Sequence, residues 1–331
     1  MISYIVKRLL YMIFTIWLLS IVVFIIIQLP PGDFLTSYIA SIQAQGTSVD
    51  PSQAEMLRKV YGLEKSFPEQ YFLWFSKFVQ GDMGPSFQWQ FRPVSDLLAE
   101  RLPYTILLSL MTLIFTYVIA VPIGIYAATH QYSFADYSLS VAGFAGLATP
   151  NFMLALILMY ILFKYFNLSV GGLFSPEFVS APWSLGKVED LARHMILPIL
   201  VIGLGGTAGI IRVMRGTLLD ELGKQYVITA RAKGVPEGKL LFRYPVRVAM
   251  NPIVSTIGWQ LPRIISGETI TAIVLALPTT GPLLYGALIS QDMFMSGSIV
   301  MILGILTLVG TLISDILLVV VDPRIRFDRK S

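Results

Sequence analysis

The chain has no cysteine among its 331 residues, and only two histidines, His130 and His194, far apart in sequence. The first absence excludes disulfides and thiolate metal or redox sites, and the second argues against a histidine metal centre or catalytic dyad. Charge is also scarce, at 13% of residues, where a soluble domain carries about 25%. No G-x-x-x-x-G-K-[S/T] run occurs, so the chain has no phosphate loop of its own. No repeat of 20–50 residues stands out. What the chain does have is apolar side chains: 55% of residues are hydrophobic and the mean hydropathy is +0.71. An all-α integral membrane protein is the expected class.

The apolar residues fall into runs of membrane length. After Lys7 and Arg8, residues 9–29 are uncharged. That is long for a signal peptide and lacks a small-residue cleavage pattern, so it is expected to be a retained first helix. Further spans are expected over 104–129, 137–163, 195–211 (extendable to 214), 252–277 and 295–321. Six transmembrane helices result. Pro122 and Pro150 mark expected kinks within or near the second and third spans. The fourth contains Gly203, Gly205, Gly206 and Gly209, and small residues let membrane helices approach closely.

Residues 30–103 are polar and punctuated by Pro and Gly. Helices are expected over 50–62, opened by Asp50 and Pro51, and over 68–80. The second carries Tyr71, Phe72, Trp74, Phe75 and Phe78. At helical spacing, such aromatics are expected to pack on neighbours or lie at the bilayer interface, not to form a ligand box.

The polar stretch that stands out is an island between the fourth and fifth runs. Between Arg212 and Asn251 it holds eight Lys/Arg against three acids, Asp220, Glu221 and Glu237. It is too polar for lipid and too short to bury a core of its own. Ala230, Arg231, Ala232, Lys233 and Gly234 are followed by Val235 and Pro236; a helix-stopping Gly and a helix-starting Pro predict two short helices around a tight corner. With the N-terminus inside, 14 of the 24 Lys/Arg fall on the cytoplasmic side, including the whole island. The charge bias therefore predicts cytoplasmic termini and a cytoplasmic island. The modest net charge of +4 reads as this topology signal and not as nucleic-acid binding.

The run from Gln225 through Ala230 to Gly234, with Lys239 and Arg243 beyond it, resembles the cytoplasmic EAA motif of ABC-importer permeases of the dipeptide/oligopeptide type. Other short segments agree in order: Tyr61 to Leu63, Gln70 to Trp74, Gly81 to Gly84, Arg92 to Val94, and Asp322 to Arg326. The resemblance covers nearly the whole chain. It departs at Tyr244, often His in the family, near Val248, where an Asn is common, at Ala272, where the family's acid of the fifth span aligns, and over Pro278 to Gly281, in place of Pro-Gly-x-Gly.

The resemblance implies a non-catalytic permease subunit in a bacterial or archaeal cytoplasmic membrane. It implies an extracytoplasmic insertion over 30–103 after the first helix (1–29), a five-helix core over 104–321, a coupling loop over 215–251 and a cytoplasmic tail over 322–331. It also implies as partners a second homologous permease, two ATPase subunits that bind ATP and Mg, and an extracytoplasmic solute-binding protein. By residue, Ala230, Ala232 and Gly234 would let the elbow sit deep in an ATPase cleft, with Pro236 at its corner and Arg231, Lys233 and Lys239 on the polar rim. No cofactor is implied for this chain. Oligosaccharide importers use the same permease type, so that substrate class stays open beside peptides.

From the residues alone, Asp315, near the inner end of the sixth span, is expected to be a structural or interface acid, while Arg263 and Glu268 are the ionisable groups of the fifth span. Each costs about 2.5–3.5 kcal/mol at the bilayer centre if unpaired. Five positions apart, they point about 140° apart around a helix, so they are not expected to pair with each other. They are candidates for a translocation path, or for structural pairing with another helix. An ion-coupled secondary transporter built on this pair is the alternative of a different class. An intramembrane hydrolase lacks a convincing catalytic set.

Overall fold

The computed structural model describes residues 2–28, 64–86, 88–89, 91–167, 171–267 and 269–321. The expected helix over 50–62, the tail and Glu268 lie outside the described residues. What is described is helical, without a β-strand; the one extended contact is an isolated bridge between Pro85 and Pro93.

Four helices are long and apolar enough to cross a membrane by length and composition: Ile5–Ile26, Val94–Thr129, Leu185–Leu222 and Met293–Val320. They belong to α1 (Ile2–Gln28), α3 (Val94–Thr129), α7 (Leu185–Leu222) and α13 (Met293–Val321). The expected third span is instead two helices, α4 (Phe134–Ala148) and α5 (Asn151–Phe166). Pro150 separates them in an extended conformation, φ −59° and ψ 135°. Proline has no N–H to donate and drives the residue before it out of the helical region, so the break falls at Thr149 and Pro150. Likewise the expected fifth span is occupied by α10 (Pro245–Gly267) and α11 (Thr269–Val274).

The fourth span begins earlier than its apolar run. The Ser184 hydroxyl accepts from the Lys187 amide at 3.2 Å and caps α7. The polar residues of its first turns then find partners. Lys187, buried, donates to the carbonyl of Ala181 at 2.6 Å and lies over the rings of Phe174 and Trp183. Asp190 accepts from the backbone and hydroxyl of Ser175 at 2.8 and 2.7 Å, just ahead of the one-turn helix α6 (Pro176–Val179). Satisfied polar groups can continue a helix that hydropathy alone would stop.

The described chain forms two compact units. One comprises Met1–Ile5, Tyr104–Pro278 and Thr307–Ser331. Its helices α3, α7 and α10 share a core of Ala120, Ala128, Ile210, Met214, Leu218 and Ile253. A second core gathers Leu108, Ala155, Val201 and Ile202 with Leu275. In the same unit, the Tyr117 and Thr256 hydroxyls are hydrogen-bonded, and Ser314 donates to the carbonyl of Val254 at 3.1 Å.

The other unit comprises Val6–Pro103 and Thr279–Leu306. Here α2 (Phe67–Val79) presents Tyr71, Trp74, Phe75 and Phe78 to Val23, Phe24 and Met301. The Tyr71 phenol shares a 2.8 Å hydrogen bond with Ser20. The aromatic helix is thus a packing element, as its spacing predicts, with Phe72 facing outward. Between α12 (Thr280–Ile289) and α13, Asp292 is buried, accepts from the Ser86 hydroxyl and caps α13 through the Met295 amide at 3.2 Å.

Candidate functional site: a charged elbow and a polar notch

After α7, the chain folds into α8 (Gln225–Ala232) and α9 (Glu237–Arg243) before entering α10. The corner is built as its residues predict. Gly234 takes the left-handed conformation at φ +75°, which only glycine adopts without penalty. Pro236 caps the next helix at φ −58°. Arg231 spans the corner, its Nε and Nη2 donating to the two carboxylate oxygens of Glu237 at 2.6 and 3.3 Å. The guanidinium holds the Glu237 carboxyl below its usual range.

Contrary to the expectation that it is too short to bury a core of its own, the elbow does so by folding two short helices against each other. Val227 and Leu240 are fully buried, with Ala230 between them and Val235 and Tyr244 closing the cluster. Of the residues singled out by sequence, Ala230 therefore faces the elbow's own core. Arg231, Ala232, Lys233, Gly234, Pro236 and Lys239 are exposed. Ile228 and Phe242 are exposed beside them, Phe242 at 63%. Sequence reading passed these two over because an apolar residue in a short helix looks like core; only the fold turns them outward.

The second feature lies in the glycine run of α7. A Cβ added at Gly203 would stand 2.4 Å from the Phe115 ring, and one at Gly205 would stand 2.4 Å from Asn151 Oδ1. Such distances are accessible only to glycine, so α3 and α5 approach α7 as closely as its small residues allow. At Gly206 a Cβ would lie 3.4 Å from both Gln260 Nε2 and the Thr116 methyl. Thr116 donates to the carbonyl of Gly203 at 3.3 Å. Thr116, Asn151, Gln260 and Arg263, with Ile202 and Ile264, line a cavity of about 20 Å³. That is room for about one water or one small polar group. Arg263 is on its rim; Glu268 lies outside the described residues. Asn151 and Gln260 carried no sequence signal, since each is a lone amide in an apolar run.

Among the described residues, no group of three or more His, Asp or Glu could hold a metal ion. Ser175, Asp190 and His194 come together, but the Ser175 hydroxyl donates to the carboxylate and the His194 ring faces the same acid at 3.3 Å. In a Ser–His–acid arrangement the hydroxyl would instead donate to the imidazole, which would in turn donate to the acid. This cluster is a clamp between the α6 turn and α7.

Residues 120–327 match the family described as binding-protein-dependent transport system inner membrane component, and residues 1–110 match its N-terminal counterpart. The chain is 34% identical to the oligopeptide transport system permease protein AppB of Bacillus subtilis, covering 99% of this chain and 100% of that protein. It is 35% identical to a putative peptide permease protein of Brucella ovis, over 98% of this chain and 99% of that protein. With the oligopeptide transport system permease protein OppB of Haemophilus influenzae it shares 31% identity, over 99% and 100% respectively. End-to-end likeness of this kind, on a helical chain with membrane-length apolar helices and a charged elbow, places the protein in the family of binding-protein-dependent transport system inner membrane components.

Proposed function

We propose that this chain is the permease subunit of an ATP-driven oligopeptide importer and forms half of its transmembrane path. The observation that carries the reading is the full-length similarity to proteins named as oligopeptide transport permeases. The relatives' names give the oligosaccharide alternative no support.

In this reading, six spans place both termini in the cytoplasm, 30–103 is the extracytoplasmic insertion and 104–321 the membrane core. A second homologous permease completes the path, a solute-binding protein delivers peptide, and two ATPase subunits supply the energy. The elbow is the handle. Exposed Arg231, Lys233 and Lys239 meet an acidic rim of the ATPase, while Ala232, Gly234 and Pro236, with Ile228 and Phe242, occupy its cleft. Ala230 serves from inside, keeping the elbow compact enough to transmit movement to α7 and α10. Arg263 lines the path.

Purification of the tagged chain from its native membrane tests this directly. It is expected to bring down a second permease and ATPase subunits, and peptide uptake is expected to require ATP. Uptake that persists without ATPase subunits and stops when ion gradients are dissipated would instead establish the secondary transporter.

A further inference from the structure

We infer that the polar notch at the α7 glycine run is a carboxylate-recognition subsite in the translocation path; the inference rests on the peptide-importer reading. Thr116 lies midway along the apolar run 104–129, and Gly205 midway along the extended run 195–214. The notch therefore sits where polar groups are most costly. Polar groups persist at such depth when they line a water-filled path or serve a bound polar ligand.

Gln260 is the sharpest indication. It is 3% exposed, borders the cavity, and its carboxamide, whose atoms are not fully sealed, makes no side-chain hydrogen bond among the described residues. A carboxamide at such depth with no protein partner keeps its hydrogen-bonding capacity, and this one borders a space of the size of one small polar group. The surroundings select the sign of that group. Arg263 brings a permanent positive charge and makes no ion pair among the described residues. Among the described residues that line the cavity there is no acid. Asn151 begins α5, and the N-terminal end of a helix dipole favours negative charge. The cation, the Gln260 amide and the helix end all complement a carboxylate.

The size of the notch adds a functional consequence. It admits one group and not a side chain of arbitrary shape, so it reads a feature common to many peptides. Two sources offer this chemistry: the C-terminal carboxylate, present on every unmodified peptide, and an Asp or Glu side chain.

The test uses the assembled importer in nanodiscs without its solute-binding protein. It measures equilibrium binding of three fluorescent peptides of one length: a free acid, its C-terminal amide, and an amide with an internal Glu. Wild type is expected to bind the free acid most tightly. Arg263→Gln should weaken free-acid binding about tenfold, the scale of one charge-assisted hydrogen bond, and leave the plain amide unchanged. Arg263→Lys should retain most of the preference, and Gln260→Leu should lose part of it. If the Glu-containing amide follows the free acid, acidic side chains are a second source; if it follows the plain amide, the terminus is read alone. Equal weakening of all three peptides by Arg263→Gln, or no change in any, overturns the subsite. So does a wild-type importer that takes up peptides in membranes but binds acid and amide alike. Absence of peptide uptake by wild type overturns the peptide reading itself.

Discussion

The Asp136 carboxylate accepts two hydrogen bonds from the Arg215 guanidinium, from Nε at 3.0 Å and from Nη2 at 2.8 Å. It takes a third from the Tyr132 amide at 3.1 Å. The pair ties the turn between α3 and α4 to the end of α7, where the charged island begins. Asp136 is 3% exposed, so this is a buried, fork-shaped ion pair and not a surface contact. Arg215 counts among the basic residues whose bias predicts the orientation of the chain, yet its charge is spent within the fold.

Removing one partner strands the other in a buried position. Asp136→Asn is expected to destabilise the protein by about 3 kcal/mol, the low end for a broken buried pair because Arg215 is partly exposed. Thermal unfolding of the purified complex should report it as a lower transition temperature. An unchanged transition would mean that the pair contributes nothing beyond its geometry.

The same pair sets a pH dependence. The Arg215 hydrogen bond holds the Asp136 carboxyl below its usual range, against the opposing effect of burial. A depressed carboxyl stabilises the fold fully above the unfolded-state pKa of about 3.9. That contribution is lost as pH falls through the lower folded value. Wild type and Asp136→Asn should therefore differ in stability by a constant amount from pH 8 to 5, and the difference should shrink only in stronger acid. A gap that closes near neutral pH would contradict this.

At the glycine run, Gly205→Ala forces a Cβ toward Asn151 Oδ1 and is expected to cost about 1–3 kcal/mol, as overpacking does. Gly209→Ala is the control. A Cβ there meets nothing within 4 Å, and alanine gains up to about 1 kcal/mol of helix propensity. Opposite signs are expected in thermal stability; two changes of the same sign would refute the close approach.

The elbow's small core is expected to be required for its shape. Leu240→Ala removes a fully buried side chain, a change that costs about 2–5 kcal/mol in cores. Membrane insertion should survive, since no span is altered, while co-purification of ATPase subunits and uptake should fall. Retained assembly would show that the elbow holds without its core.

Gly234 separates backbone from docking. Nothing in this chain lies within 4 Å of a Cβ at that position, so the internal cost of replacement is conformational, about 1–2 kcal/mol for a left-handed residue. Asn tolerates that conformation better than Leu. Gly234→Asn should keep much of the uptake, whereas Gly234→Leu should uncouple ATP hydrolysis from transport or block assembly. Normal uptake by Gly234→Leu would count against deep docking.

Class and punctuation were legible in the residues themselves. Few charges and long apolar runs leave the backbone no solvent but itself, so helices follow. Gly234 and Pro236 carry the corner in their own dihedral preferences, and the Gly203–Gly206 run announces close packing by lacking side chains. These are local properties, complete within a few residues. Tertiary structure decided what depends on the register between distant helices. It joined Asp136 to Arg215 across 79 positions, turned Ala230 inward and Phe242 outward, and carried α7 back through Lys187 and Asp190 by giving them partners. It also set Asn151 and Gln260 beside one stretch of α7. A lone amide in an apolar run has no periodicity to betray it; its meaning comes from which neighbour the packing places opposite.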